Sequence, residues 1–568
     1  MRFSWTAALL FGLAMNLPVA LAQGKPRTGP VKTTATPPVT KKRASKKPKK
    51  RFGPIRLRPV VIYQTPEDLS RVGGSAHRLS KKLLQRFTYD APDQVLYAVP
   101  GVYVRQEDGY GLRPNIGLRG ASSDRSKKLT LMADGILFGP APYSAPAAYY
   151  FPLMLRIVGL EVIKGPSAIL YGPQTIGGAL NLFSRDIPRR GHQGFFDLAY
   201  GHHNYLKLHA AHGWAGARGG FLIEAAHLMT DGFKQLDGGG DTGFTRQEVI
   251  FKGRLTSNPL GDVFHRWDIK LTLSHERSNE TYLGLSDADF RAAPYRRYAA
   301  SARDQMNLLR FAFDTRYTLQ IEEHFDLNLA VYAHTLSRAW YKLNRFKGGP
   351  TLAAILAAPD SGTRRVFYDV LTGAQDTSTD EETLMIGDNA RRFLVLGTQL
   401  TGRYRFSTGP ITHELRAGFR YHFDQIHRNH TEDGFLMEGG ALTSDGGETL
   451  ENVINRGRAS ASAGYLHYGL NGWRFTLKPG LRFEHVATEL LDEKTGELLT
   501  NVHTTWMPGV GLHYQIVRGL GVFGGVYRGF SPVAPGQLPE VQPEISWNYE
   551  LGIRYLRKRS GTRLELIG

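Results

Sequence analysis

From about residue 195 the chain alternates apolar and polar positions with a period of two, broken by polar, glycine-rich stretches. Trp267, Ile269, Leu271 and Leu273 alternate with Asp268, Lys270, Thr272 and Ser274. Leu309, Phe311, Phe313 and Tyr317 alternate with Arg310, Asp314 and Arg316. Leu415, Ala417, Phe419, Tyr421 and Phe423 do so with Glu414, Arg416, Arg420 and His422, and Trp473 to Glu484 repeats the pattern. Each segment predicts a β-strand with one apolar and one charged face. Short turns, such as the hairpin signal Leu470-Asn471-Gly472, separate long connections at 276–305, 344–391 and 427–456. A soluble β-sandwich also alternates, but with shorter loops. Long and short connections in alternation predict an antiparallel transmembrane β-barrel with extended external loops.

The first third follows a different rule. Residues 158–187 begin with the β-branched run Val158 to Ile163, which stops at Lys164-Gly165-Pro166. A short apolar piece then ends at Tyr171-Gly172-Pro173, and Gly177-Gly178 precedes a last strand-like run. Glycine supplies backbone conformations other residues resist and proline fixes turns, so the bare pattern predicts a small, turn-rich α/β domain.

The wording of that stretch resembles the plug domain of TonB-dependent outer-membrane receptors. Val99-Pro-Gly-Val-Tyr-Val-Arg105 resembles the family's early plug strand, Asn115-Ile-Gly-Leu-Arg-Gly120 its "IRG" element, and Met132-Ala-Asp-Gly-Ile136 its "DG" turn. Four blocks occur in the family's order, which a lone glycine-rich loop would not provide. Residues 124–135, 140–152 and 279–290 look most like the ferric-dicitrate receptor subgroup of siderophore receptors. The resemblance implies an α+β plug inside a barrel of 22 strands, of which about fifteen are legible here. Strands are therefore expected to be missing beyond Gly568, and a truncated, non-transporting product is one alternative.

Composition adjusts this picture at the N-terminus. Arg2, the apolar run 5–17 and Ala20-Leu21-Ala22 read as a signal peptide over 1–22. Of the formal charge of +20, thirteen Lys and Arg without any Asp or Glu lie in residues 25–58. A Pro- and Lys-rich linker over 23–57 is expected to stay disordered and solvated rather than bind nucleic acid. A mean hydropathy of −0.30 would suggest a soluble protein, but polar lumen faces lower a barrel's average. There are no cysteines, which excludes disulfides.

Pro59, Val60, Val61, Ile62 and Tyr63 form an apolar extended segment in polar chain, and the family places its TonB box here, at 58–65. Such a box joins TonB by strand addition, in which backbone hydrogen bonds supply affinity. The plug is expected over 75–188 and the barrel over 193–568. The resemblance implies TonB-dependent active import of a ferric siderophore, a citrate-like chelate, with TonB energised by ExbB and ExbD. It implies no resident cofactor, no enzyme activity and contact with outer-membrane lipid and lipopolysaccharide. With little more than thirty residues between the expected cleavage site and the box, transport without the family's transcription-signalling domain is expected.

Arg119, Lys164 and Glu550 match family positions that hold plug to barrel, although arginine is commoner where Lys164 stands. Arg125 and Tyr143 at the plug apex, with Arg296 and Arg297 in an external loop, are the candidates for an anionic chelate. Nineteen histidines invite a metal or haem reading, but His202-His203 and His427-Arg-Asn-His430 lack a ligand set, and Phe530 to Pro543 lacks the histidine of haem receptors. Uptake of cobalamin or another metallophore remains an alternative, and a passive porin is disfavoured by the plug.

Overall fold

The computed structural model describes residues 71–258, 262–557 and 562–568. The expected signal peptide, linker and TonB box lie outside the described residues. Two sheets of opposite character make up the rest. The plug contains β1 (Ala76–Leu79), β2 (Val102–Arg105), β3 (Asn115–Leu118), β4 (Thr130–Ala133), β5 (Ile136–Leu137), β6 (Ile157–Ile163) and β7 (Ala179–Ser184). Two short helices, α1 (Lys81–Phe87) and α2 (Pro92–Leu96), precede β2. Five of the strands form a mixed sheet in the order β1-β6-β7-β4-β5, and β2 pairs β3. The β-branched run is β6, which is buried along nearly its whole length, as a strand covered on both faces requires.

The chain then enters a sixteen-stranded antiparallel sheet. Its first half comprises β8 (Gly191–Gly201), β9 (Tyr205–Ala215), β10 (Gly219–Thr230), β12 (Phe244–Thr256), β13 (Val263–Asn279), β15 (Gln305–Ile321) and β16 (Phe325–Phe346), with β11 (Gln235–Leu236) and β14 (Arg296–Arg297) paired in its loops. It continues through β17 (Leu384–Thr408), β18 (Ile411–Glu438), β19 (Ala441–Ser444), β20 (Leu450–Asn471), β21 (Phe475–Asp492), β22 (Leu498–Val517), β23 (Leu520–Ser531), β24 (Glu544–Arg557) and β25 (Thr562–Ile567). Apart from β19, which pairs only β18, the order follows the sequence from β8 to β25, and those two end strands do not pair with each other among the described residues.

This sheet wraps the plug with its charged face inward. Trp267, Leu309, Phe311, Phe419 and Trp506 are exposed on the outer surface. Inward-facing residues of the same strands or of the strands beside them, Arg310, Glu276, Asp424 and Glu484, are buried against the plug. Side chains of β9, β13, β18, β21 and β24 all bond plug residues. An apolar outside with a charged inside reverses the soluble pattern and is what a bilayer selects.

Connections at one end are short, at 216–218, 322–324, 409–410, 472–474 and 518–519. At the other end they include 231–243, 280–304 and 347–383. The structure shortens two of the expected loops. β17 and β18 run for 25 and 28 residues, so much of 384–391 and 427–438 is strand. Residues 387–391 and 427–434 are mostly polar, and it is pairing with neighbours that keeps them extended. The long connections carry α3 (Asp287–Ala292), α4 (Leu352–Ala357) and α5 (Arg364–Thr372). Ile355, Phe367, Val370 and Leu371 pack there with Ala300 and Met437, giving the loop layer its own apolar core.

Candidate functional site

Arg119, Lys164 and Glu550 come together on the β24 side of the plug. Arg119 has a left-handed backbone (φ 49°) that turns its side chain outward to an ion pair with Glu550. Its guanidinium also donates to the Lys164 carbonyl at 3.1 Å and to Ser75 Oγ at 2.6 Å, and Ser75 donates to Glu550 Oε2 at 2.8 Å. Lys164 Nζ donates to the Pro100 carbonyl at 2.6 Å. Burial, and then the adjacent Arg119, lower its pKa from 10.5 to about 8. Arg554 strengthens this contact by donating to the Val72 and Gly74 carbonyls at 3.1 and 2.8 Å. Sequence reasoning missed it, although four-residue spacing on one strand puts it on the same face as Glu550.

On the β12–β13 side, plug and wall share a chain of alternating charges. Arg156 pairs with Glu248, which accepts from Arg246 at 2.9 Å. Arg246 reaches Glu276 at 3.5 Å, Glu276 holds Arg113 at 2.5 Å, and Arg113 also meets Glu280 at 2.6 Å. Three guanidinium groups thus face three carboxylates. The register places Arg246 directly opposite Glu276, a favourable cross-strand pair.

Tyr143 belongs to a third contact rather than to an open surface. Its hydroxyl donates to Glu484 at 2.8 Å and accepts from Arg420 at 2.7 Å, while its backbone N–H and that of Ser144 bond Asp424. Only 1% of Tyr143 is exposed, which keeps it from solvent. Arg296 and Arg297 are held by the long loops themselves, 231–243 and 280–304. Arg296 pairs with Asp237 and Asp289, both at 3.0 Å, and Arg297 donates to the Pro294 and Arg296 carbonyls.

Arg125, the remaining candidate, leads to a different arrangement. It pairs with Glu107 and stacks 5.0 Å from the ring centre of Tyr149, at the plug apex. Arg338 lies over the same ring at 4.3 Å and Arg391 at 6.0 Å. In the ladder Arg338 stands opposite Arg391, and Arg391 opposite Arg428, so three arginines form one row across β16, β17 and β18. Like charges placed directly opposite one another are destabilising. Among the described residues none of the three forms an ion pair. Arg338 donates to the Asn389 carbonyl at 3.2 Å, Arg391 to His430 Nε2 at 3.2 Å, and Arg428 to Asn455 at 2.9 Å. Arg338 is 2% exposed, and its Nε and Nη1 have no hydrogen-bond partner among the described residues. Lys342, over Trp340 at 4.9 Å and Tyr282 at 5.0 Å, adds a further cation toward the long loops.

Aromatic faces offset part of the charge through cation–π attraction, worth about 0.5–2 kcal/mol each. A buried cation without an anion costs more than that. The row is therefore suited to an anion with several oxygens, which guanidinium groups grip in pairs. Alternation alone puts Arg338, Trp340 and Lys342 on one face. Only the register between strands brings Arg391 and Arg428 alongside.

Residues 227–566 match the family described as "TonB dependent receptor-like, beta-barrel", and residues 68–179 match "TonB-dependent Receptor Plug Domain". Among curated proteins, similarity extends to the vitamin B12 transporter BtuB of Vibrio vulnificus, 29% identical over 140 residues. That alignment covers 24% of this chain and 22% of the relative. The BtuB of Photobacterium profundum is 32% identical over 114 residues, 18% of each chain. These alignments thus span about a fifth of the relatives' length. Among solved structures, the ferric citrate transporter FecA in its unliganded form superposes with a TM-score of 0.71 at 20% identity, covering 89% of this chain and 70% of that one. The siderophore receptor PiuA from Acinetobacter baumannii gives 0.65 at 13% identity, covering 90% and 74%. The ferric yersiniabactin uptake receptor FyuA from Yersinia pestis gives 0.62 at 14% identity, covering 86% and 70%. At such identities these superpositions speak to the fold alone.

Proposed function

The chain belongs to the TonB-dependent receptors, a family of outer-membrane plugged barrels and not of enzymes, and from that premise we propose that it imports an anionic ferric chelate of the citrate type. The observation that supports the reading is the carboxylate-free row of Arg338, Arg391 and Arg428, the first two lying over Tyr149. A chelate whose carboxylates face outward supplies the anion that row lacks. Iron is cargo here and touches no protein ligand. Arg125, which lies over the same Tyr149 ring, contributes from the plug, so occupancy of the row is sensed by the domain that must move. Transport proceeds when TonB, energised by ExbB and ExbD, pairs with residues 58–65 and pulls on the plug beyond Val72. Arg119, Lys164 and Glu550 then act as the hold that this pull releases.

Uptake of radio-labelled iron supplied as citrate, with and without a protonophore, tests the proposal. Protonophore-sensitive uptake that disappears in Arg338→Met/Arg391→Met is the expected result. Val61→Pro is expected to abolish uptake while leaving chelate binding intact. Similarity to BtuB favours cobalamin as a second reading. Cobalamin uptake unaffected by loss of the two arginines, with no uptake of ferric citrate, would select it instead.

A further inference from the structure

Near the short-turn end of the sheet, the membrane-facing surface is interrupted. Leu477, Leu512, Gly524 and Leu551 stand in one row across β21, β22, β23 and β24. Every member but Gly524 presents an isobutyl group outward, so the glycine leaves a notch in a leucine row. The flanking rows, Val510 with Val526 and Tyr514 with Val522, wall it in. The recess has a volume of about 540 Å³ and an almost wholly apolar lining. That is the size of a small-ligand pocket, ~300–1,000 Å³. A Cβ built on Gly524 meets only Glu550 O at 3.3 Å and Leu551 Cδ1 at 3.5 Å. The plug does not dictate a glycine here, and for a larger side chain only the Glu550 carbonyl of β24 has to give, by a few tenths of an ångström.

Two basic turns lie at the open end of this notch. Arg474, in the turn 472–474, donates to the Ile516 carbonyl at 3.4 Å, which sets it beside Arg518 in the turn 518–519. Both arginines are exposed, and residues 471–475 and 514–522 contain no Asp or Glu. Trp473, 74% exposed between them, has the amphipathic ring favoured at a membrane–water boundary. In barrels of this kind the short turns face the periplasm. An apolar slot that ends in two exposed guanidinium groups, neither in an ion pair among the described residues, matches the two ends of one molecule.

We propose that this notch is a binding site for a single anionic phospholipid of the inner leaflet. One acyl chain lies over Gly524 between Leu512 and Leu551, and the phosphate meets Arg474 and Arg518. The site is separate from the arginine row and does not depend on what the barrel transports.

The test is native mass spectrometry of the chain in mild detergent, given equal amounts of palmitoyl-oleoyl phosphatidylglycerol and phosphatidylcholine. The wild type is expected to retain one phosphatidylglycerol, preferred roughly ten- to thirty-fold, as about 1 kcal/mol per basic residue implies. Gly524→Leu fills the notch and is expected to lose that adduct. Arg474→Gln/Arg518→Gln, confined to surface turns, is expected to keep one lipid but lose the preference. Heat-modifiable migration on gels verifies that each variant is folded; should Gly524→Leu fail it, the arginine pair decides alone. Equal retention of both lipids by the wild type, preference surviving in the arginine pair, or an adduct undiminished in folded Gly524→Leu would each overturn the proposal.

Discussion

Two clusters of lumen arginines, separated along the wall only by β15, differ in one respect. Arg156, Arg246 and Arg113 alternate with Glu248, Glu276 and Glu280 and leave little charge uncompensated. Arg338, Arg391 and Arg428 stand in one row, the first two over an aromatic ring, and form no ion pair among the described residues. In both places the guanidinium groups are at least partly buried, so burial does not separate them. What separates them is whether the chain supplies the anion. Where it does, the arginines fasten plug to wall. Where it does not, the fold bears a cost that aromatic faces offset only in part, and on the reading proposed above an anionic ligand offsets the rest.

The largest test of this contrast is Glu248→Gln. It strips the charge partner from Arg156 and Arg246, and about 3–5 kcal/mol of stability should go with it, read as a lower midpoint for loss of heat-modifiable migration. Arg338→Met/Arg391→Met should behave in the opposite way. Stability stays level or rises, while ferric citrate binding to the purified protein falls roughly 100-fold, as expected from two charge-assisted contacts of about 1.5–3 kcal/mol lost in part to water. Destabilisation of both variants to the same degree would erase the distinction between the clusters.

Lys164 gives a smaller, pH-dependent effect. Its pKa is about 8 in the folded chain against 10.5 as the ordinary value, so between those limits the unfolded state binds more protons. Stability should therefore rise as pH increases from 8 to 10.5, and Lys164→Met should flatten that rise in thermal melts. Arg365, on the exposed loop helix α5 with Asp360 and Asp369, marks the lower bound. Arg365→Ala should leave both melting and binding unchanged within error, because solvated pairs contribute little.

Much of this architecture was legible in the residues. Alternation along Trp267 to Ser274 or Leu415 to Phe423 follows from the two-residue pleat, so the apolar outer face could be read directly. The glycine and proline punctuation of 158–187 marked the plug, and Arg119, Lys164 and Glu550 were identified before their meeting was visible. The ligand candidates were harder to choose. Tyr143, Arg296 and Arg297 are polar residues in loops, as ligand contacts often are, but the first is enclosed by Glu484 and Arg420 and the others are bound by Asp237, Asp289 and loop carbonyls. Which loop arginine has its charge already matched depends on residues 7 to 59 positions away.

The sequence by itself determined the class of strand, the direction each face takes and the place where plug gives way to barrel. These are local consequences of side-chain period and turn chemistry, set within a few residues. Only the tertiary structure decided which charges meet. Register across β16, β17 and β18 aligned three arginines separated by 90 positions, and register across β12 and β13 set Arg246 against Glu276. Slipping a strand by two residues leaves each side chain on its face and changes every partner. Periodicity therefore fixes the fold's faces, whereas the pairing of distant strands fixes its chemistry.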